Sequence, residues 1–299
     1  MRQFKRFRLF SFLLVLPSAL ALLVFVYGFI SFTGIASVIN WKKLKIDWTF
    51  VGLDNYLRLF ENERFLIDLK NIVVFTILFL IATIVIGFLL AIALDRKVKG
   101  ESIFRNIYLF PMAFSFIVTG VVWRWLLAPG NDMTGAMGVN LLFENMGLGF
   151  LKNGWYTDPS IGIRAVVIAA VWQYAGYVMA LYLAGIRGIS SEIQEAARVD
   201  GASEIQIYRH IIIPLLRPIT LSAVIILGHI SLKIFDLVVS MTGPGTGFST
   251  DVPALFMYDT TFRGNQFAQG SAIAIVLLVA VAVLVVPYLI NGTKSEVER

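Results

Sequence analysis

Two charges stand inside an otherwise apolar run: Lys233 and Asp236, in IILGHISLKIFDLVVSM. A charge at mid-membrane costs on the order of 2.5–3.5 kcal/mol on insertion scales, so each needs something other than lipid beside it. On one continuous helix, three residues apart, the two would pair. Unpaired, Lys233 would favour a solute with an anionic group. A second group is Trp172, Gln173, Tyr174 and Tyr177, again in an apolar run. Aromatic faces cover the apolar face of a sugar ring while amides and hydroxyls bond its rim, so the composition suits a carbohydrate. It serves helix packing equally well. Catalysis has nothing to rest on. The only histidines are His210 and His229 and there is no cysteine, so no metal set is apparent. No GxxxxGK[ST] occurs, so the chain cannot cradle nucleotide phosphates. No nucleophile–base arrangement stands out. We expect no enzyme and no cofactor bound by this chain.

A polar island lies between the apolar runs: SSEIQEAARVDGASEIQIYRHIIIPLLRP, residues 190–218. Its spacing predicts helix, glycine, helix. Ser191 with Gln194 reads as a capping box and Ser203 with Gln206 repeats it. Gly201 can end the first helix in the left-handed region. Pro214 and Pro218 bound the second helix and open the next apolar run. Two short capped helices joined at a glycine make a stiff knob.

The elements around these residues are membrane spans. The 299 residues are 58% hydrophobic and only 15% charged, and the mean hydropathy is +0.80. No soluble domain has that composition. Without cysteine there are no disulfides, and redox chemistry says nothing about compartment. The expected order is an N-tail over 1–8, a first transmembrane helix over 9–32, an outer loop over 33–70, a five-helix core over 71–290 that includes the polar island, and a tail over 291–299. Within the core the spans are expected at 71–94, 106–127, 161–186, 219–241 and 267–290, with Pro111 kinking the second of these. A short helix is expected across 55–65.

The net charge of +6 could suggest nucleic acid, but the basic residues sort by membrane side. With both termini and the polar island inside, fourteen of the 25 Lys and Arg fall in inner segments and seven in outer loops. The expected class is therefore all-α, with six transmembrane helices, both termini cytoplasmic, and no nucleic-acid partner.

The polar island resembles the EAA loop of the permeases of binding-protein-dependent ABC importers. Glu195-Ala196-Ala197, Gly201, Ile211 and Pro214 match that pattern, with Ile213 where leucine is usual. The resemblance implies an importer type I permease core whose cytoplasmic coupling helix docks on an ATPase subunit through Glu195, Ala196, Ala197, Asp200, Gly201, Ala202, Ile211 and Pro214. It also implies partners: an ABC ATPase dimer carrying the ATP and Mg, a second permease, and an extracytoplasmic solute-binding protein. The location implied is a prokaryotic cell membrane. The segments FVGLDNY (50–56), RNIYLFPMAFSFIVTGVVWRWLL (105–127) and FDLVVSMTGPG (235–245) are similar to carbohydrate permeases of the family, with Gly243-Pro244-Gly245 where Gly-Gly-Pro is usual. Gap-free alignment to maltose-type permeases puts Trp172, Tyr177 and Ser231 at sugar-contacting positions, whereas Ala170 and Ile234 stand where those permeases carry polar residues. Glycerol phosphate or another polar metabolite is the alternative solute.

A stand-alone secondary carrier is the competing class. Such carriers often show inverted repeats. No half-to-half repeat is visible here, and Asp236 is the lone intramembrane carboxylate available for proton coupling.

Overall fold

In lipid a backbone must satisfy its own hydrogen bonds, and the apolar runs accordingly fold as helices. The computed structural model describes residues 12, 14–96, 99–131 and 133–297, with side chains to residue 287. The N-terminal basic residues Arg2, Lys5, Arg6 and Arg8 lie outside the described residues, as do Lys97 and Arg299. Four helices are long and apolar enough to cross a membrane, and two bent helix pairs bring the number to as many as six.

The chain forms two compact units, one from 1–62 and 256–278, the other from 63–255 and 279–299. In the first unit, α1 (Leu14–Ser37) exposes an apolar surface nearly all round and leads into a loop clipped by an Ile39–Phe50 bridge. Helix α2 (Asp54–Phe60) follows. Its buried Asn55 donates to the carbonyls of Ser37 and Ile39, at 2.9 and 3.0 Å, closing the end of α1. Trp41 stacks on Phe267 at 4.8 Å and accepts from the Ala268 N–H through its carbonyl. The helix expected across 55–65 is thus two helices, α2 and the start of α3, broken at residues 61–62.

The second unit is built on two long helices, α3 (Glu63–Asp95) and α7 (Gly162–Arg187). α3 begins before the expected residue 71. Its buried Asp68, Ile72, Phe75, Phe79, Thr83, Gly87, Ala91 and Leu94 recur every three or four residues, one stripe turned inward. α7 is apolar on most of its circumference, and most of it is buried, so it forms the centre of the unit. Between them come α4 (Glu101–Leu109), a 3-10 turn at Phe110–Ala113, α5 (Phe116–Leu126), a small hairpin of β1 (Gly130–Asn131) and β2 (Gly135–Ala136), and α6 (Gly138–Asn145).

The second core span is more than kinked. The chain turns by 101° between Glu101–Ala113 and Phe116–Leu126. Phe114 is extended there, and Ser115 caps α5 by accepting from the Val118 N–H. Pro111 sits in the preceding 3-10 turn, so the break falls after the proline rather than at it.

After α7 come α8 (Ser191–Val199), α9 (Glu204–Leu215), α10 (Arg217–Leu232), α11 (Asp236–Met241), α12 (Pro253–Tyr258) and α13 (Phe267–Val297). The run expected to be one span over 219–241 is therefore two helices, with residues 233–235 outside either.

Candidate functional site

The polar stretch 190–218 folds as its spacing predicts, with one correction. The cap of α8 is Ser190, whose Oγ accepts from the Glu192 N–H at 3.2 Å, and not Ser191, which is already the first helical residue. At the second helix, Ser203 and Gln206 do form the reciprocal capping box. Gly201 has φ +84° and nothing within 4 Å of where a Cβ would lie, so backbone conformation and not crowding reserves the position for glycine. The N–H of Gly201 bonds the Arg198 carbonyl and the N–H of Ala202 the Ala197 carbonyl, a complete Schellman closure. Ala197 and Ala202 both pack against the core from this turn. Arg198 Nε reaches Glu204 Oε1 at 2.8 Å across the turn, and this bond holds the guanidinium above its usual pKa. Downstream, a π-turn spans Tyr208–Ile212 just ahead of Pro214, which has no N–H to continue the ladder.

The outward face of this knob is incompletely covered. No residue of α8 is buried, and Ile193, Val199 and Ile205 are 46%, 87% and 79% exposed. A cleft of roughly 330 Å³ opens beside the turn, lined by Asp200, Gly201, Ala202, Gln206, Ile207, His210 and Ile211. Glu195 and Ala196 are exposed on α8, while Ile211 is half-buried against the core.

In the membrane-spanning part the candidate residues divide. Trp172 is 39% exposed, parallel to Phe114 at 6.4 Å and edge-on to Trp123 at 5.9 Å. Tyr177 is half-buried. Gln173, Tyr174 and Tyr177 point about 100°, 160° and 140° away from Trp172 around α7, so none of them shares its surface. Gln173 is buried and donates its Nε2 to the Phe114 carbonyl at 2.8 Å, serving the backbone freed by the break in that span. Tyr174 packs among Phe79 and Phe116. Ser231 is fully buried, its Oγ donating to the Gly228 carbonyl and accepting from Thr76. Composition could nominate these three, but only the fold tells which way each points.

Lys233 and Asp236 form no ion pair. Lys233 is the C-cap of α10 and Asp236 opens α11, so each charge complements the end of its own helix. Both are exposed. The pairing expected from their spacing presumed one continuous helix, and the break removes it.

A buried network at the start of α3 had no signal in the sequence. Arg64 Nε lies 2.5 Å from Oδ2 of the fully buried Asp251, and its guanidinium stacks 4.8 Å over Phe248. Asn71 donates to the carbonyls of Phe248 and Asp251, each at 2.9 Å. The glycine-rich loop 242–251 is held to α3 by these contacts.

Residues 83–292 match the family of binding-protein-dependent transport system inner membrane components. A Pyrococcus horikoshii protein named "probable ABC transporter permease protein" is 42% identical over 95% of this chain and 96% of its own length. The xylose/arabinose import permease protein of Haloferax volcanii is 34% identical, covering 83% of this chain and 77% of its own. A glucose import system permease protein of Saccharolobus solfataricus is 28% identical over 96% of this chain and 98% of its own. Among solved structures, a bacterial ABC transporter importing the acidic polysaccharide alginate superposes with a TM-score of 0.78 over 100% of both chains at 22% identity, which shows the fold. The match runs from within α3 to within α13 and includes the capped turn, so the chain belongs to the binding-protein-dependent transport system inner membrane component family.

Proposed function

We propose that this chain is one membrane-spanning subunit of a carbohydrate importer, driven by partner ATPases through residues 190–218. The observation that carries the reading is the knob itself: a rigid, doubly capped turn with Ile193, Val199 and Ile205 turned outward. Exposed apolar side chains on a polar connector mark a protein contact. Glu195, Ala196, Ala197, Asp200, Gly201, Ala202, Ile211 and Pro214 make or support that contact. ATP and Mg belong to the ATPase subunits. Closure of an ATPase dimer displaces the knob, and the helices attached to it shift between inward and outward access.

In this reading the chain crosses a prokaryotic cytoplasmic membrane six times, with each bent pair one span and both termini on the cytoplasmic side. The pore is shared with a second permease, and the solute arrives on an extracytoplasmic binding protein. Trp172, Tyr177, Lys233 and Asp236 line the pathway, while Gln173, Tyr174 and Ser231 support it from behind. The sugar-importing relatives and the exposed Trp172 favour a carbohydrate. One observation favours a second reading: Lys233 is exposed and has no ion pair with Asp236, which suits an anionic solute such as a sugar phosphate or glycerol phosphate.

Gly201→Pro tests the coupling. Proline cannot adopt φ +84°, so the turn is lost while the spans remain. Membrane insertion should be intact, and uptake of a labelled sugar that the parent strain accumulates should fall at least tenfold while ATP hydrolysis persists. Uptake at the parental rate would refute the role given to the turn.

A further inference from the structure

Arg187 is the last residue of α7, and three residues separate it from the first residue of α8. A cation at a helix C-terminus ordinarily serves its own helix dipole. Arg187 reaches away instead. Its Nη2 lies 2.8 Å from Glu101 Oε2, at the first turn of α4, and its Nε lies 3.8 Å from Asp95 Oδ1, at the end of α3. One guanidinium thus joins the ends of three helices where α7 hands over to the knob.

The three side chains are between 23% and 41% exposed, and half-exposed ion pairs add little to stability. Fixed geometry is what such a pair offers: a planar guanidinium holds two carboxylates at set angles, whereas the rotatable ammonium of a lysine sets none. On the other side of α7, Tyr182 and Thr220 share a hydrogen bond of 2.9 Å that ties α7 to α10. Between the two ties, the base of α7 cannot move alone.

We propose that Arg187 is a positioning residue for coupling: it makes the start of α4 follow when the knob after α7 is displaced. The proposal rests on the coupling reading above. Without Arg187, α7 and the helices packed along it, α3 and α10, still respond to the ATPase, and the start of α4 lags behind.

The parent has no cysteine, so cysteines placed at Ile103 on α4 and Glu192 on α8, both exposed, are the chain's sole labelling sites. The labelled chain is studied in its complex with cysteine-free partner subunits, and the spin–spin distance is measured without nucleotide and with ATP, Mg and vanadate. In the parent the distance should stay within the width of the nucleotide-free distribution. In Arg187→Gln it should leave that width on adding nucleotide, and Arg187→Lys, which keeps the charge but not the planar fork, should fall between. Arg187→Glu with Glu101→Arg and Asp95→Asn restores one ion pair of reversed sign and should restore the parental response. A purely structural role would lower the unfolding temperature of Arg187→Gln without changing how its labels respond to nucleotide. That result, or a parent whose distance shifts, overturns the proposal. A parent that purifies without an ATPase overturns the coupling reading itself.

Discussion

Asp251 has no exposed surface, yet its carboxylate lies against Arg64 at the start of α3. Removing the arginine takes from a buried carboxylate its charged partner, leaving it the Val252 N–H as a neutral donor. Arg64→Gln should therefore cost about 3–5 kcal/mol, read from unfolding of the purified chain in detergent. A loss within 1 kcal/mol, roughly what an exposed pair gives, would mean that water reaches Asp251. At this scale the sequence shows which residues are costly but not who answers them. Arg64 and Asp251 are 187 residues apart. Lys233 and Asp236 are three apart and do not meet, because a charge at each of two helix ends is as good an answer as an ion pair. Where partners are local, the residues could be read directly: Ser203, Gln206 and Gly201 behave as their spacing predicts. Ser190 displaced Ser191 as the cap because two adjacent serines offer the same chemistry and only the backbone chooses between them.

The helices that position the candidate residues are set by close approach as much as by apolar length. At Gly176 on α7, a Cβ would fall 1.8 Å from the Tyr108 carbonyl of α4, so the two backbones touch. Gly176→Ala should push them apart at a cost of roughly 1–3 kcal/mol and loosen the Gln173–Phe114 hydrogen bond one turn away. The checks are detergent unfolding and faster hydrogen exchange around residues 110–116. Unchanged stability and exchange would show that the helices can part freely. Long apolar elements were legible: α7 lies within one residue of its expected ends. The breaks were not. A run such as the one over 219–241 reads as continuous hydropathy whether or not its backbone is helical throughout. The proline signal at residue 111 marks the right turn but not the residue where the chain departs, because Ser115 supplies the cap that lets α5 start afresh.

For the whole molecule, the proposed function joins the knob at 190–218 to the spans around it through an external engine that moves the knob. The family assignment agrees with what the EAA spacing implied. The all-α membrane class was legible because composition acts over the whole chain and tolerates local errors. The solute was less so, because the residues that suit a sugar by type are split by the fold between an exposed face and the core.

The most direct test is a photo-crosslinking residue at Val199, and separately at Ile205, followed by illumination of native membranes and mild-detergent purification. Mass spectrometry then identifies whatever is joined to the chain. The account predicts an adduct with an ATPase subunit at one of the two positions, lost in Gly201→Pro. A chain that purifies alone, without adduct at either position, and still transports in the absence of ATP would contradict it.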